Sequence, residues 1–259
     1  MTAEQKQVKV KNNGALGIGL DVASPKVVPL MLDCIDEIYE LFNQPKLFSL
    51  GMDEAHFFGS AWSKEVNRGK MLADYANTLN RHLREKGCRS MIWGDMLLSH
   101  LQFPYCFENH GGPPKNTFEA LPLLDKDIIL ADWHYGYEVA GVTPEHYPSI
   151  SWFRQNGFDV VAVPWFKPYN MANLARDIAA TEGLGIMGSS WALHSTFALH
   201  TRENAFAKKP NARQSVEARR ELGIFSSTAE ASWSILKSKE NMKKYDSVQW
   251  EKRWLPVNK

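Results

Sequence analysis

Five short apolar runs constrain this chain more than any other feature: LFSLGM (47–52), SMIW (90–93), IILADW (128–133), VVAVPW (160–165) and IMGSSW (186–191). Each is nearly continuous in apolar residues, the pattern of a strand buried on both faces. Between them lie stretches with helical spacing, at 24–42, 64–86, 117–124, 148–156 and 171–181. Strand and helix in alternation predict a parallel sheet, either doubly wound or closed as a (β/α) barrel. No GxGxxG or GxxxxGK[ST] follows a run, so nucleotide-binding open sheets lose support. Every run ends in a group that suits a ligand: Asp53-Glu54, Trp93 with Asp95, Trp133, Trp165 and Trp191. Barrel enzymes carry their chemistry at those strand ends. The expected class is therefore α/β, a partial (β/α) barrel of TIM type with five βα units.

Local signals divide the chain further. Ser24 as N-cap and Pro25 at the first helical position predict the start of the first helix. Its apolar residues Val28, Met31, Leu32, Ile35, Ile38, Tyr39 and Phe42 follow the rhythm of one buried face. Gly87 is expected to stop the second helix. QVKVK and ALGIGL flank NNG and predict an N-terminal hairpin. The expected organisation is an extension over 1–22, a barrel domain over 23–205 and a charged helical segment over 206–259.

Composition excludes several classes. The 259 residues are 44% hydrophobic with a formal net charge of +1, and no basic stripe suited to nucleic acid stands out. Cys34, Cys88 and Cys106 lack CxxC spacing, so buried reduced thiols are expected rather than disulfides or a zinc ribbon. No apolar run approaches the roughly 18 residues of a membrane span. The polar start MTAEQKQVKVKNNG shows no leader, which predicts a cytoplasmic protein. No cofactor is expected. His134, His194 and His200 lack HxxxH spacing, so no metal site is expected either. No GxSxG elbow supports a serine hydrolase.

The Asp53-Glu54 pair has two readings. Asp53 caps a helix at a strand end, or the two carboxylates sit at the mouth of an active site. The nine tryptophans also divide, between core and ligand platforms. Indoles around carboxylates suit a sugar ring, whose C–H face stacks on aromatics while its hydroxyls need fixed polar partners.

In order along the chain, LDVASPKVVPLMLDCIDEIYELF, LGMDEAH, MIWGDM, IILADW, VVAVPW and IMGSSW resemble segments of the family 20 glycoside hydrolases, the β-N-acetylhexosaminidases. The match covers roughly 20–195, from just before the family's fourth barrel strand. The resemblance implies removal of terminal β-linked N-acetylglucosamine or N-acetylgalactosamine with retention, the substrate's own acetamide being the nucleophile, an exception to the two-carboxylate scheme. By the same analogy Glu54 is the acid and then the base, and Asp53 orients the acetamide. Trp93, Trp133 and Trp191 line its pocket, and Trp165 and Asp95 belong to the sugar site. Asp95 alternatively supports Trp93 or caps its loop, and His56 either bonds Glu54 or serves the loop. The implied partner is an N-acetylhexosamine-containing glycoside, with no nucleic acid and no membrane.

Two motifs depart from the family. PWFKPYN stands where the family has Tyr-x-Asp, leaving Tyr169 as substitute, and Trp191-Ala192-Leu193 replaces Trp-x-Glu. The three earlier barrel strands have no counterpart in the sequence, so a truncated enzyme or a barrel completed by self-association is expected. Two other functions compete with the hexosaminidase. One is a carbohydrate-binding remnant without turnover. The other is a hydrolase using Glu54 with Asp95 or Asp132 as nucleophile.

Overall fold

A computed structural model describes residues 9–11, 18–55, 66–104, 108–135, 146–165, 168–190 and 228. Strands β1 (Lys9–Lys11) and β2 (Ile18–Leu20) pair antiparallel, Lys9 opposite Leu20, as expected of a hairpin. The other strands are β3 (Leu47–Ser49), β4 (Arg89–Trp93), β5 (Ile129–Trp133), β6 (Asp159–Val163) and β7 (Gly185–Ile186). They form one five-stranded sheet in the order β3-β4-β5-β6-β7. β3 with β4, β4 with β5 and β6 with β7 pair in parallel. A strictly sequential order is that of a (β/α) barrel segment, because a doubly wound sheet reverses at a switch point. Helices α1 (Val27–Leu41), α2 (Arg68–Glu85), α3 (Pro148–Gln155) and α4 (Pro168–Ala180) connect the strands, with 3-10 turns at Asp95–Leu97 and Thr117–Leu123.

The chain divides into two compact units, residues 1–131 with 152–159 and residues 132–151 with 160–259. In the first unit, Ile35 and Tyr39 of α1 meet Leu79 and Leu83 of α2 and Cys88, with Phe48, Leu50 and Met52 packed against them. Asn80 ties α2 to its neighbours: buried, it accepts from Ser90 Oγ at 2.6 Å and donates to Asp125 and Asp127. A buried amide with all these partners satisfied is a specific clamp rather than a packing cost. In the second unit, Met171 and Ala175 of α4 form a core with Ala179 and Ile186.

Two expectations for the first helix are corrected by the structure. α1 begins at Val27 rather than at Ser24-Pro25, which form a turn; Ser24 Oγ accepts the Lys26 N–H at 3.4 Å and caps no helix. The reason is Pro29. A start at Pro25 would put Pro29 inside the helix, where a bond to the carbonyl four residues back is needed. From Val27 it falls third, among donors that have no intrahelical partner anyway. Ile38 and Phe42, assigned to the buried face, are exposed, because the packed line runs Met31-Ile35-Tyr39 and they lie one step around the helix.

The ends of two strands also differ. β3 stops at Ser49 rather than 52, since Gly51 and Met52 take positive φ of 72° and 74°. β7 covers only Gly185–Ile186, although Met187 and Ser189 still donate to Ala162 and Pro164 carbonyls, each at 2.9 Å. Pro164 has no N–H to return the bond, which interrupts the ladder. Other expectations hold more closely. Gly87, at φ +71°, follows the end of α2 as expected, although the helix starts at Arg68 rather than at about 64; Asn67 caps it by accepting the Lys70 N–H at 2.8 Å. Cys88 is buried and Cys34 half-buried, both free; Cys106 lies outside the described residues.

Candidate active site

Immediately after β3 the backbone turns sharply, with Gly51, Met52 and Glu54 all at positive φ, Glu54 at 45°. For the two non-glycine residues this costs about 1–3 kcal/mol each. The turn is held from β4, where Trp93 N–H donates to Gly51 O at 3.0 Å. It is also held by Asp95, whose Oδ2 accepts the Glu54 N–H at 2.9 Å. A hydrogen bond to a charged acceptor contributes about 1.5–3 kcal/mol, comparable with the strain of one residue. The result exposes both Asp53 and Glu54 while Asp95 beneath them is 1% exposed. Adjacent carboxylates reach solvent together because the residues have left the strand, where neighbours would point to opposite faces.

The loop after β4 adds two titratable groups to this turn. His110 donates its N–H to Asp95 O and places Nδ1 2.9 Å from Asp95 Oδ2. It is followed by Gly111, packed so closely on the Met96 carbonyl that a Cβ has no room. Gly111 N–H bonds Leu98 O at 2.8 Å, and Thr117 Oγ1 bonds Met96 O at 2.8 Å. These contacts fold residues 95–118 into a tight loop and bring Lys115, half-buried, within electrostatic reach of Asp95 and Glu54. Burial lowers the pKa of Lys115, an effect the two carboxylates oppose. The Asp53 carboxyl moves the other way. Although the residue is exposed overall, desolvation raises its pKa, opposed by its own backbone N–H and reinforced by Asp95 and Glu54.

The second unit carries the aromatic group. Trp133 closes β5 and is 7% exposed; its ring lies 4.9 Å from that of Tyr135, which lies 5.4 Å from that of Trp165. Tyr135 OH bonds Ser189 Oγ at 2.8 Å. Residues 132 and 134 alternate with this aromatic pair and enter a polar network instead. Ser149 Oγ donates to Asp132 Oδ2 at 2.7 Å, and His134 Nε2 lies 2.8 Å from Ser149 Oγ and 3.1 Å from Asp132 Oδ1. His134 stacks on Tyr147, and Asn170 bonds both the Tyr147 hydroxyl and the His134 carbonyl. Asn170 also accepts the Trp165 N–H at 3.2 Å, so the network fixes the backbone beyond β6.

The expected site residues thus fall into several environments. Asp53 and Glu54 stand exposed in one turn, and Trp93 is half-buried at the end of β4. Trp165 is half-buried two residues past β6, and Tyr169 lies in the first turn of α4. Asp95 is spent on the turn, and at 1% exposure it offers no surface to a sugar. Asp132, weighed as a nucleophile, is equally enclosed, which removes that reading. Ser149, His134 and Asp132 do not form a hydrolytic triad, because both partners contact the same ring nitrogen and all three are buried. Trp191, His56, His194 and His200 lie outside the described residues. Among the described residues no group of three His, Cys, Asp or Glu is arranged to hold a metal ion. Among them, too, no helix is long and apolar enough to cross a membrane.

Sequence reading missed His110, Lys115 and Tyr135. The signal for Tyr135 was available: in D-W-H-Y the aromatics alternate with polar residues, so Trp133 and Tyr135 share a face. His110 and Lys115 carried none, since their partners are 15 or more positions away.

Comparison with known proteins adds the fold. No family model and no curated protein matches the sequence. Among solved structures, the GH20 exo-β-N-acetylglucosaminidase of Vibrio harveyi, in complex with N-acetylglucosamine, superposes with a TM-score of 0.50 at 14% identity, over 91% of this chain and 35% of that one. The fold resembles that of family 20 glycoside hydrolases. Flavobacterium johnsoniae chitobiase gives 0.49 at 16% identity, covering 96% and 38% of the two chains. Dispersin B gives 0.44 at 16% identity, covering 82% and 61%. The chain therefore spans between 35% and 61% of the length of these enzymes.

Proposed function

We propose that this chain is a glycoside hydrolase acting on terminal β-linked N-acetylhexosaminides by a substrate-assisted, retaining mechanism. The observation that carries the reading is the exposed Asp53-Glu54 turn at the carboxyl end of a parallel strand, anchored from below by Asp95. Glu54 gives its proton to the glycosidic oxygen as the C1–O bond breaks, and the substrate's acetamido oxygen bonds to C1. Asp53 accepts the acetamido N–H, which aims the carbonyl and stabilises the positive charge developing on it. Water then attacks C1 and surrenders a proton to Glu54, opening the intermediate with overall retention. Trp93, Trp133, Trp165, Tyr169 and Trp191 are assigned to sugar binding; of these, Trp93 and Trp165 are half-buried and keep ring surface that a sugar could stack on, whereas Trp133 is packed against Tyr135.

The test is hydrolysis of an aryl β-N-acetylglucosaminide beside the matching aryl β-glucoside. Release from the first alone, with the β-anomer formed first by proton NMR, is the expected result. Equal release from the glucoside rules out an acetamide nucleophile, and binding of N-acetylglucosamine without release favours a carbohydrate-binding protein.

The pH profile checks Asp53 separately. Only ionised Asp53 offers the negative charge that stabilises the cation developing on the acetamide, so activity is lost as pH falls through its pKa. Because desolvation raises that pKa, the acid limb of kcat/KM lies higher than an unperturbed aspartate would set it. Asp53→Asn lowers activity and removes that limb; a limb unchanged in the variant assigns it to another group.

A further inference from the structure

We propose that Asp95, oriented by His110, is the positioning residue of the catalytic turn: one buried carboxylate oxygen holds the Glu54 N–H and thereby sets where the Asp53 and Glu54 side chains point. The role rests on the hydrolase reading for its catalytic consequence, though not for its structural one. Three observations converge on it. The side chain of Asp95 is wholly excluded from solvent, so this carboxylate is committed to neighbours within the protein. Its Oδ2 serves Glu54 N–H and His110 Nδ1 together, each at 2.9 Å, which links the turn to the loop through one atom. The chain then holds His110 in place with a second bond, His110 N–H to Asp95 O at 2.9 Å, and with the close passage of Gly111 over Met96 O.

The turn itself explains why such a device is needed. Met52 and Glu54 hold left-handed conformations that side-chain-bearing residues leave readily when nothing opposes them. Releasing the Glu54 N–H frees the peptide to rotate, and a rotation there swings both carboxylates away from a common target. Catalytic groups need placement within about half an ångström, and that precision comes from the groups behind them. The titratable groups facing Asp95 are Asp53, Glu54, His110 and Lys115, so its removal changes the local electrostatics as well as the geometry.

Asp95→Ala removes the acceptor and Asp95→Asn keeps its shape without the charge. Steady-state kinetics on an aryl β-N-acetylglucosaminide are combined with the NMR shift of the Glu54 amide proton in the full chain. The expected loss in kcat is about 100-fold for Ala and about 10-fold for Asn, the range for groups that orient an active site from behind. KM stays within about threefold, and the Glu54 amide proton moves upfield in both variants as the charged acceptor is lost. Wild-type kcat in both variants, or an unmoved Glu54 amide, overturns the proposal. If the Ala variant does not fold, Asn and His110→Gln carry the same readouts. If the wild-type chain does not hydrolyse the glycoside, the hydrolase reading falls, while the amide shift still decides whether Asp95 holds the turn.

Discussion

Glu54→Gln lowers kcat on an aryl β-N-acetylglucosaminide by about 10²–10⁴-fold, the usual contribution of a positioned general acid and base. Glutamine preserves the size of the side chain and the backbone N–H that Asp95 accepts, so the turn survives and the chemistry alone is removed. The loss grows as the leaving group becomes poorer, because a good aryl leaving group departs with little proton transfer while a sugar alcohol does not. Paired measurements on a nitrophenyl glycoside and on a disaccharide read this dependence. A Glu54→Gln chain with wild-type turnover on the disaccharide would move the acid elsewhere, and among the described residues Asp53 is the other exposed carboxylate of this turn.

The second large effect is structural. Asp132→Ala strips the acceptor from Ser149 Oγ and the carboxylate beside His134, three residues each at most 1% exposed. Each buried polar group left without its partner costs about 1–3 kcal/mol, and the space vacated by the side chain adds to that. A total near 3 kcal/mol lowers the midpoint of thermal unfolding by about 6–12 °C for a chain of this size. Asp132→Asn, which keeps an acceptor for Ser149, is expected to lose less. Thermal melts of both variants followed by circular dichroism make the comparison, and a midpoint within 2 °C of wild type for the Ala variant would show that the network bears little of the stability. Because Asn170 connects these residues to the Trp165 N–H, the same variant is also expected to loosen the backbone after β6.

Neither effect was readable from the sequence to the same degree. Glu54 announced itself as an acidic residue where an apolar run ends. Asp132 stood in the midst of the apolar run IILADW, and nothing in the chain said that its partners were Ser149 and His134 rather than a substrate. Asp95 shows the same limit more sharply. Its place one residue beyond Trp93 and Gly94 drew attention, but its burial beneath Glu54 follows from β3 and β4 lying side by side, a contact 41 residues apart in the chain.

What the sequence by itself determined is therefore the alternation of elements and the strand ends at which the chemistry-bearing residues would gather. Apolar runs bracketed by helical spacing leave a parallel sheet as the way to bury both faces, and such periodicity is a local property. The tertiary structure alone decided which carboxylates meet solvent and which are enclosed. Asp53 and Glu54 emerge because their turn is strained outward, and Asp95 and Asp132 are covered because neighbouring strands and loops close over them. Burial, and with it the difference between a reacting group and a supporting one, is a property of residues distant in sequence, and no local pattern encodes it.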